Sequence, residues 1–405
     1  MARDGTVEQA QPRVAAAHGG AVEQARPSVA VAPGGAAEQE RRFIAIDWVR
    51  GLVMVLMTLD HASAAFNAGR LFTDSVAMDR SPLPAPDFFT RWVTHICAPT
   101  FVFLAGTSIA LSAARRTRAG DAPGAIDRHL VIRGLIITAL ELWMSLVFGP
   151  HAPGWIVLQV LYALGMGMVC MAALRHVPVR WLLGLALVGW VVSEPLADWA
   201  RGLSGPIGSV GLLLFNFGMV VPKLVVVGYP LFPWLCTMVL GYCFGHFLLG
   251  LPAEGRSARA ARLLLGWGVG LLALFLVLRA LNGLGNMGLL RHDDSLVQWL
   301  HVSKYPPSLT FWGLELGLAA LLLALAFRAG LKWPPLVLLG QTALFFYLLH
   351  AHLLDLSARM LGMHMKAGLL ATYVSWALVI LVLLPLCSWY RGYKRRHPHG
   401  WPQYI

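Results

Sequence analysis

The residues best suited to chemistry fall in the first long apolar run. It reads Arg42-Phe-Ile-Ala-Ile-Asp47-Trp-Val-Arg50-Gly51, continues Leu-Val-Met-Val-Leu-Met-Thr-Leu, and closes on Asp60-His61. At about 100° per residue, Asp47 falls within about 40° of His61, and Arg50 within about 20°. Asp47, Arg50 and His61 therefore share one stripe, with Asp60 about 100° round from it. Ionisable side chains in hydrocarbon are costly, so the stripe must face protein or a water-filled cavity, and each member is a functional candidate. His61 beside a carboxylate has the make-up of a general base, since imidazole exchanges protons near neutral pH and a carboxylate can fix its tautomer. Asp47 and Arg50, three apart, can pair on a helix. That pair serves equally as a structural ion pair or as a contact for a phosphorylated cytoplasmic donor.

Other spans carry matching groups. His95 sits in the second apolar run, Glu141 in the third, Glu315 in the eighth and His350 in the ninth. Helix direction alone brings Asp60, His61, His95, Glu141, Glu315 and His350 to a similar depth in the outer half of the bilayer, without fixing their lateral positions. For His95 and His350 a helix-to-helix hydrogen bond is as good an account as a catalytic one. For His246 and His352 the packing account is preferred. No pair has the i,i+4 His spacing of a helical zinc site, and His350 and His352 point about 200° apart, so no metal is expected. A nucleotide-binding loop and a nucleophile elbow are also absent, since pieces such as Gly283–Gly288 lack the strand-turn-helix context.

The elements that must position these groups follow from composition. Of 405 residues, 57% are apolar and only 13% charged. That excludes an ordinary soluble enzyme, a disordered chain and a coiled coil, and points to an all-α polytopic membrane protein. The runs are continuous instead of alternating, which argues against a β-barrel. About ten transmembrane helices are expected, near 43–65, 88–112, 129–148, 155–174, 179–198, 228–249, 260–281, 308–327, 335–356 and 368–390. Residues 209–227, interrupted by Pro222 and Lys223, read as an interfacial or re-entrant segment. The net charge of +12 sits mostly between apolar runs. There it sets orientation instead of binding nucleic acid: the side that collects Arg115, Arg116, Arg118, Arg256, Arg259 and Arg262 is the cytoplasmic one. Both termini are then cytoplasmic. The five cysteines lie in apolar runs without a CxxC pair and read as packing residues. Residues 1–40, with no aromatic residue and a repeated Val-Glu-Gln-Ala at Val7 and Val22, read as a disordered cytoplasmic tail. They precede a membrane domain at 41–390 and a basic cytoplasmic tail at 391–405.

Several of these stretches resemble a known family. Asp47-Trp-Val-Arg50-Gly51 with Met57-Thr-Leu-Asp60-His61 is similar to the first-span signature of the bacterial relatives of heparan-alpha-glucosaminide N-acetyltransferase. The likeness continues at Ala98-Pro99-Thr-Phe-Val-Phe-Leu-Ala-Gly106-Thr-Ser108, Pro230-Leu-Phe-Pro233-Trp234, Gly241-Tyr242, Lys304-Tyr305-Pro306-Pro307-Ser308-Leu309 and Leu339-Gly340-Gln341-Thr-Ala-Leu-Phe-Phe-Tyr347-Leu-Leu-His350. The resemblance implies an integral-membrane acyltransferase of the bacterial plasma membrane. It would move an acetyl group from cytoplasmic acetyl-CoA to a sugar or glycan acceptor on the far side. It also implies that a polar residue at the His61 position and a His in the following loop serve the reaction. Here the loop 67–87 has no His, and the count in this region falls to His61 and His95.

The expected roles are His61, tuned by Asp60, as base; His95 and His350 positioning the acceptor or stabilising the oxyanion; and Arg50 with Asp47 orienting the donor. Membrane lipids are the other partners, and a homodimer is left open. The rival reading is a proton-coupled transporter using the same buried His and carboxylates as a relay.

Overall fold

The computed structural model describes residues 33–79, 83–148, 155–397, 400 and 404, with side chains described from Ile44. Most of the expected tail at 1–40, and the side chains of Arg41 and Arg42, lie outside these. The chain runs α1 (Pro33–Phe66), α2 (Ala85–Trp92), α3 (Cys97–Arg118), α4 (Pro123–Phe148), β1 (Ile156–Leu158), α5 (Val160–Leu174), α6 (Val179–Arg201) and α7 (Gly205–Phe215). It continues through β2 (Gly218–Val221), β3 (Val225–Val227), α8 (Leu231–Gly250), α9 (Arg256–Leu281), α10 (Leu296–Leu300), α11 (Leu309–Ala329), α12 (Pro334–Gln341), α13 (Ala343–Met360) and α14 (Leu369–Arg396). Residues 391–396, assigned above to the tail, continue α14.

Among the described residues, 8 helices are long and apolar enough to cross a membrane, or 9 if α12 and α13 count as one span. The difference from ten lies at 155–174. Its start is strand β1, and α5 has only 15 residues. It nevertheless runs antiparallel along α4. Its first residues, Leu161 and Tyr162, donate backbone N–H to Glu141 near the end of α4, and Arg175 just past its end pairs with Asp127 near the start of α4.

Two expected spans are broken. The second turns at residues 93–96 between α2 and α3. The ring of Pro99 would meet the carbonyl of His95 in a continuous helix, which accounts for the break. The ninth bends by 92° at Thr342. Helix is also not the whole architecture. The segment after α7 forms the β2–β3 hairpin, and β3 pairs in parallel with β1, Ile156 opposite Val225, in the order β1-β3-β2. The β-branched run Val225–Val227 favours the strand, and Lys223 takes φ 60 in the hairpin turn.

Glycines set how closely the helices meet. A Cβ on Gly106 would stand 1.8 Å from the Met238 carbonyl oxygen, and one on Gly241 1.8 Å from that of Phe103. Hence α3 and α8 touch backbone to backbone. Gly51 and Gly340 do the same for α1 and α12, with a Cβ at 1.8 Å from Leu336 O and at 1.9 Å from Asp47 O. In lipid, helices gain little from apolar burial against one another, so such close van der Waals approach supplies the association. At one end of the bundle, loops tie the frame. His301 Nε2 meets Thr73 O at 2.8 Å, and Met365 and Ala367 donate backbone N–H to Ala65 O and Phe66 O at the end of α1, each at 2.9 Å.

Gly241→Leu should therefore force α3 and α8 apart and destabilise the protein by about 3 kcal/mol. Thermal unfolding of the detergent-solubilised variant reads this as a lowered Tm; an unchanged Tm contradicts the packing.

Candidate functional site

The bundle encloses a cavity of about 1240 Å³. Asp47, Arg50, Asp60 and His61 all line it. Asp47 and Asp60 are about 20 Å apart along α1 at 1.5 Å per residue, so the cavity follows most of the first helix. The break between α12 and α13 opens onto the same space, with Gly340, Gln341, Thr342 and Ala343 in its lining. Irregular backbone at this depth is tolerated where it faces protein or a wet cavity, and this is such a place.

At the Asp60 end lies an imidazole pair. His61 Nδ1 and His350 Nε2 are 2.7 Å apart, and the two rings are parallel within 5°. His350 Nδ1 is 3.0 Å from the carbonyl oxygen of Phe346, four residues back on α13. A carbonyl can only accept, so Nδ1 of His350 carries the proton and, in the neutral ring, Nε2 holds a lone pair. That lone pair accepts from His61 Nδ1–H. Neutral His61 is left with its own lone pair on Nε2, which has no partner among the described residues. Helix geometry has thus chosen the tautomer that a general base needs. Asp60, expected to tune His61, makes no hydrogen bond to the ring; the bond that orients it is to His350. The edge of Tyr347 borders both rings, at centroid distances of 5.9 and 5.5 Å.

Asp60 is engaged elsewhere. Its Oδ1 accepts from Arg91 at 2.5 Å, Arg70 at 3.1 Å and the Thr94 hydroxyl at 3.2 Å. The same Arg91 guanidinium reaches Asp74 Oδ2 through Nε at 3.0 Å and a terminal nitrogen at 2.6 Å. His95 Nε2 stands 3.3 Å from Asp74 Oδ1, within ion-pair reach but off the line of a hydrogen bond. His95 is buried behind Asp74 and does not line the cavity. Burial alone would raise the Asp74 carboxyl; Arg91 and His95 outweigh it and hold the group well below the usual carboxylate range.

At the opposite end, Arg50 donates to Asp47 Oδ1 at 2.9 Å, Ser108 Oγ at 2.8 Å and Gly340 O at 3.3 Å. Gln341 Nε2 adds a contact to Asp47 Oδ2 at 3.3 Å. Arg115, Arg118, His129 and Arg133 join them in the cavity wall. Nε of Arg133 is buried without a hydrogen-bond partner among the described residues. This end is a cationic mouth suited to a polyanion.

Of the six groups expected at one depth, the structure bonds His61 to His350 and places Asp60 next to them. His95 is one residue removed, behind Asp74. Glu141 lines the cavity, but its Oε2 is spent on the first backbone N–H groups of α5, 2.8 and 3.1 Å away. Glu315 is buried, with Oε1 unpartnered. His352 bonds to its own helix carbonyl at Leu348 and His246 packs on the Tyr242 ring. Arg70, Asp74, Arg91 and Lys304 carry the Asp60 end and were not singled out from sequence. Asp74 lies in the loop searched only for histidine, and Lys304 in a stretch read only for its resemblance. Among the described residues no three His, Cys, Asp or Glu side chains are grouped to hold a metal ion.

The family described as heparan-alpha-glucosaminide N-acetyltransferase, catalytic, matches residues 42–278. No curated protein matches the chain.

Asp74→Asn leaves the buried Arg91 half-compensated and should cost about 3 kcal/mol or more, read as a lower Tm at pH 7. The sign with pH follows from the depressed carboxyl. Its stabilisation is complete above the ordinary value of 3.8 and fades as pH falls below that toward the folded value. The native and Asp74→Asn curves should therefore converge only in strong acid; equal Tm values at pH 7 contradict the bridge.

Proposed function

The chain belongs to the heparan-alpha-glucosaminide N-acetyltransferase catalytic family, and on that footing we propose an integral-membrane acyltransferase. It takes an acetyl group from acetyl-CoA entering from the cytoplasm and delivers it to a hydroxyl or amine of a sugar or glycan on the other side. The observation that carries this reading is the lone pair of His61 Nε2, directed by His350, in a cavity that also reaches the cationic mouth.

His61 Nε2 accepts the proton of the acceptor hydroxyl or amine as that atom attacks the thioester carbonyl. The resulting imidazolium keeps its Nδ1–H bond to His350, which holds the ring in place and shares the positive charge. The same Nε2 then returns the proton to the departing sulfur, so the proton count closes at one atom. Such acid–base help is worth about 10²–10⁴-fold. His350 touches His61 and not the substrates, so it is a positioning residue. His95 acts further back, by holding Asp74 and through it Arg91.

The donor side has a matching charge pattern. Arg115, Arg118 and Arg133 can take the phosphates of acetyl-CoA, guanidinium being suited to bidentate phosphate contact. The long pantetheine arm then runs along α1 past Arg50 toward His61. If α5 with β1 completes a crossing beside α4, the bundle has ten traverses and both termini are cytoplasmic, in keeping with the basic residues at that end. The outward faces of α6, α9 and α14 meet lipid: only 28%, 22% and 11% of their apolar windows are buried.

Purified protein in liposomes, given labelled acetyl-CoA and a panel of amino sugars and glycans, tests this. Label should appear on an acceptor and fall by about 10²–10⁴-fold in His61→Ala. His350→Phe should lower kcat at every pH through loss of tautomer control. Arg133→Ala should raise KM for acetyl-CoA more than it lowers kcat. Solute uptake driven by a pH gradient, independent of CoA, overturns the reading in favour of a transporter.

A further inference from the structure

At the Asp60 end of the cavity three carboxylates face three cations, but not all in contact: Glu315 is buried within the field of Lys304 yet beyond ion-pair reach of it. Asp60 and Asp74 are each engaged by arginine, with Arg91 shared between them. Among the described residues at this end, Lys304 is the cation without a contacting carboxylate. It is 4% exposed and lines the cavity. Its backbone N–H is fixed on Asp74 O at 2.8 Å, which anchors the residue in place. Its ammonium has no carboxylate within the 4.0 Å reach of an ion pair among the described residues. What it has instead are two aromatic faces, Tyr305 at 5.5 Å and Tyr229 at 5.9 Å from Nζ to the ring centroid. Cation–π contact compensates only part of what a buried ammonium loses with its water.

The surroundings resemble a seat for a sugar. Tyr229 and Tyr305 meet edge to face at 5.7 Å, and Phe217 flanks Tyr305 at 6.0 Å. All three line the cavity, on the same side as Asp60. Aromatic surface of this kind packs against the C–H face of a pyranose, and an unpaired ammonium beside it accepts one negative charge. We propose that this chamber holds an acidic sugar, with Lys304 as the counter-ion of a single carboxylate or phosphate on it. The assignment rests on the acyltransferase reading for its place as the acceptor site. It makes Lys304 the residue that selects charged acceptors over neutral ones. It also accounts for the Lys304-Tyr305 pair within the Lys304-Tyr305-Pro306-Pro307 stretch, which the transfer step itself does not use.

The test uses the full chain in detergent with three probes: glucose, glucuronate and glucose 6-phosphate. Binding of each is followed by intrinsic fluorescence without donor, and transfer of label from acetyl-CoA is measured in parallel. Glucuronate or glucose 6-phosphate should bind more tightly than glucose by about 30-fold or more, the scale of a buried charge pair. Which of the two wins distinguishes carboxylate from phosphate. Lys304→Gln should collapse the acid-to-neutral ratio toward one, and Lys304→Arg should keep most of it. Equal binding of all three sugars by the native protein overturns the proposal with no variant needed, as does a ratio that survives Lys304→Gln. Acid preference in binding with no label transferred overturns the acyltransferase reading and leaves the acidic-sugar site standing. Label transferred to glucose as readily as to the acids does the reverse.

Discussion

One guanidinium, that of Arg91, bridges Asp60 on α1 to Asp74 in the loop that follows, 2.5 and 2.6 Å away. Arg70 completes the pairing from the same loop. In an apolar bundle neither carboxylate could stay ionised alone, because the attraction of its partner must offset the loss of water. The bridge therefore fixes more than charge. It holds the end of α1 against α2 and pulls the loop over the cavity, and Asp74 through its backbone oxygen carries Lys304 and Tyr305 with it. The imidazole pair stands next to this knot, so its position depends on these charges.

The frame beneath depends on small side chains. Gly51 and Gly340 let α1 and α12 touch, and the same contact brings the Gly340 carbonyl to Arg50. Gly106 and Gly241 lock α3 to α8. With those helices clamped, the bend at Thr342 leaves space instead of filling it, and Gln341, Thr342 and Ala343 line the cavity there. Close packing in one place and a broken helix in another are together what make room for a ligand in a membrane domain.

Much of this was legible in the sequence, and the limits have physical causes. Helix period alone put Asp47, Arg50 and His61 on one stripe, and the stripe does line the cavity. Depth arguments brought His61 and His350 to one level, yet only packing could make them neighbours. Continuous hydropathy hid the bend at Thr342, since a bend changes direction without changing polarity, and it also hid the irregular turn at residues 93–96, across which Ala85–Arg118 continues as one span. It likewise ran β1 and α5 together as one span. The ion-pair knot escaped because loop residues such as Arg70 and Asp74 look solvated in sequence and are buried only by tertiary structure. Asp60, the carboxylate adjacent in sequence to His61, was the natural choice for its partner. The ring instead found one 289 residues away.

The direction of the hydrogen bonds through the two imidazoles has one more implication. A wire that conducts protons across a bilayer needs every link to receive on one nitrogen and release from the other. His350 cannot pass a proton onward, because its far nitrogen is tied to a carbonyl in its own helix, which takes no proton. A charge gained at His61 has nowhere to go but back through the atom by which it came. On the proposed reading the pair is a cul-de-sac, one that lends and reclaims a proton within a single turnover.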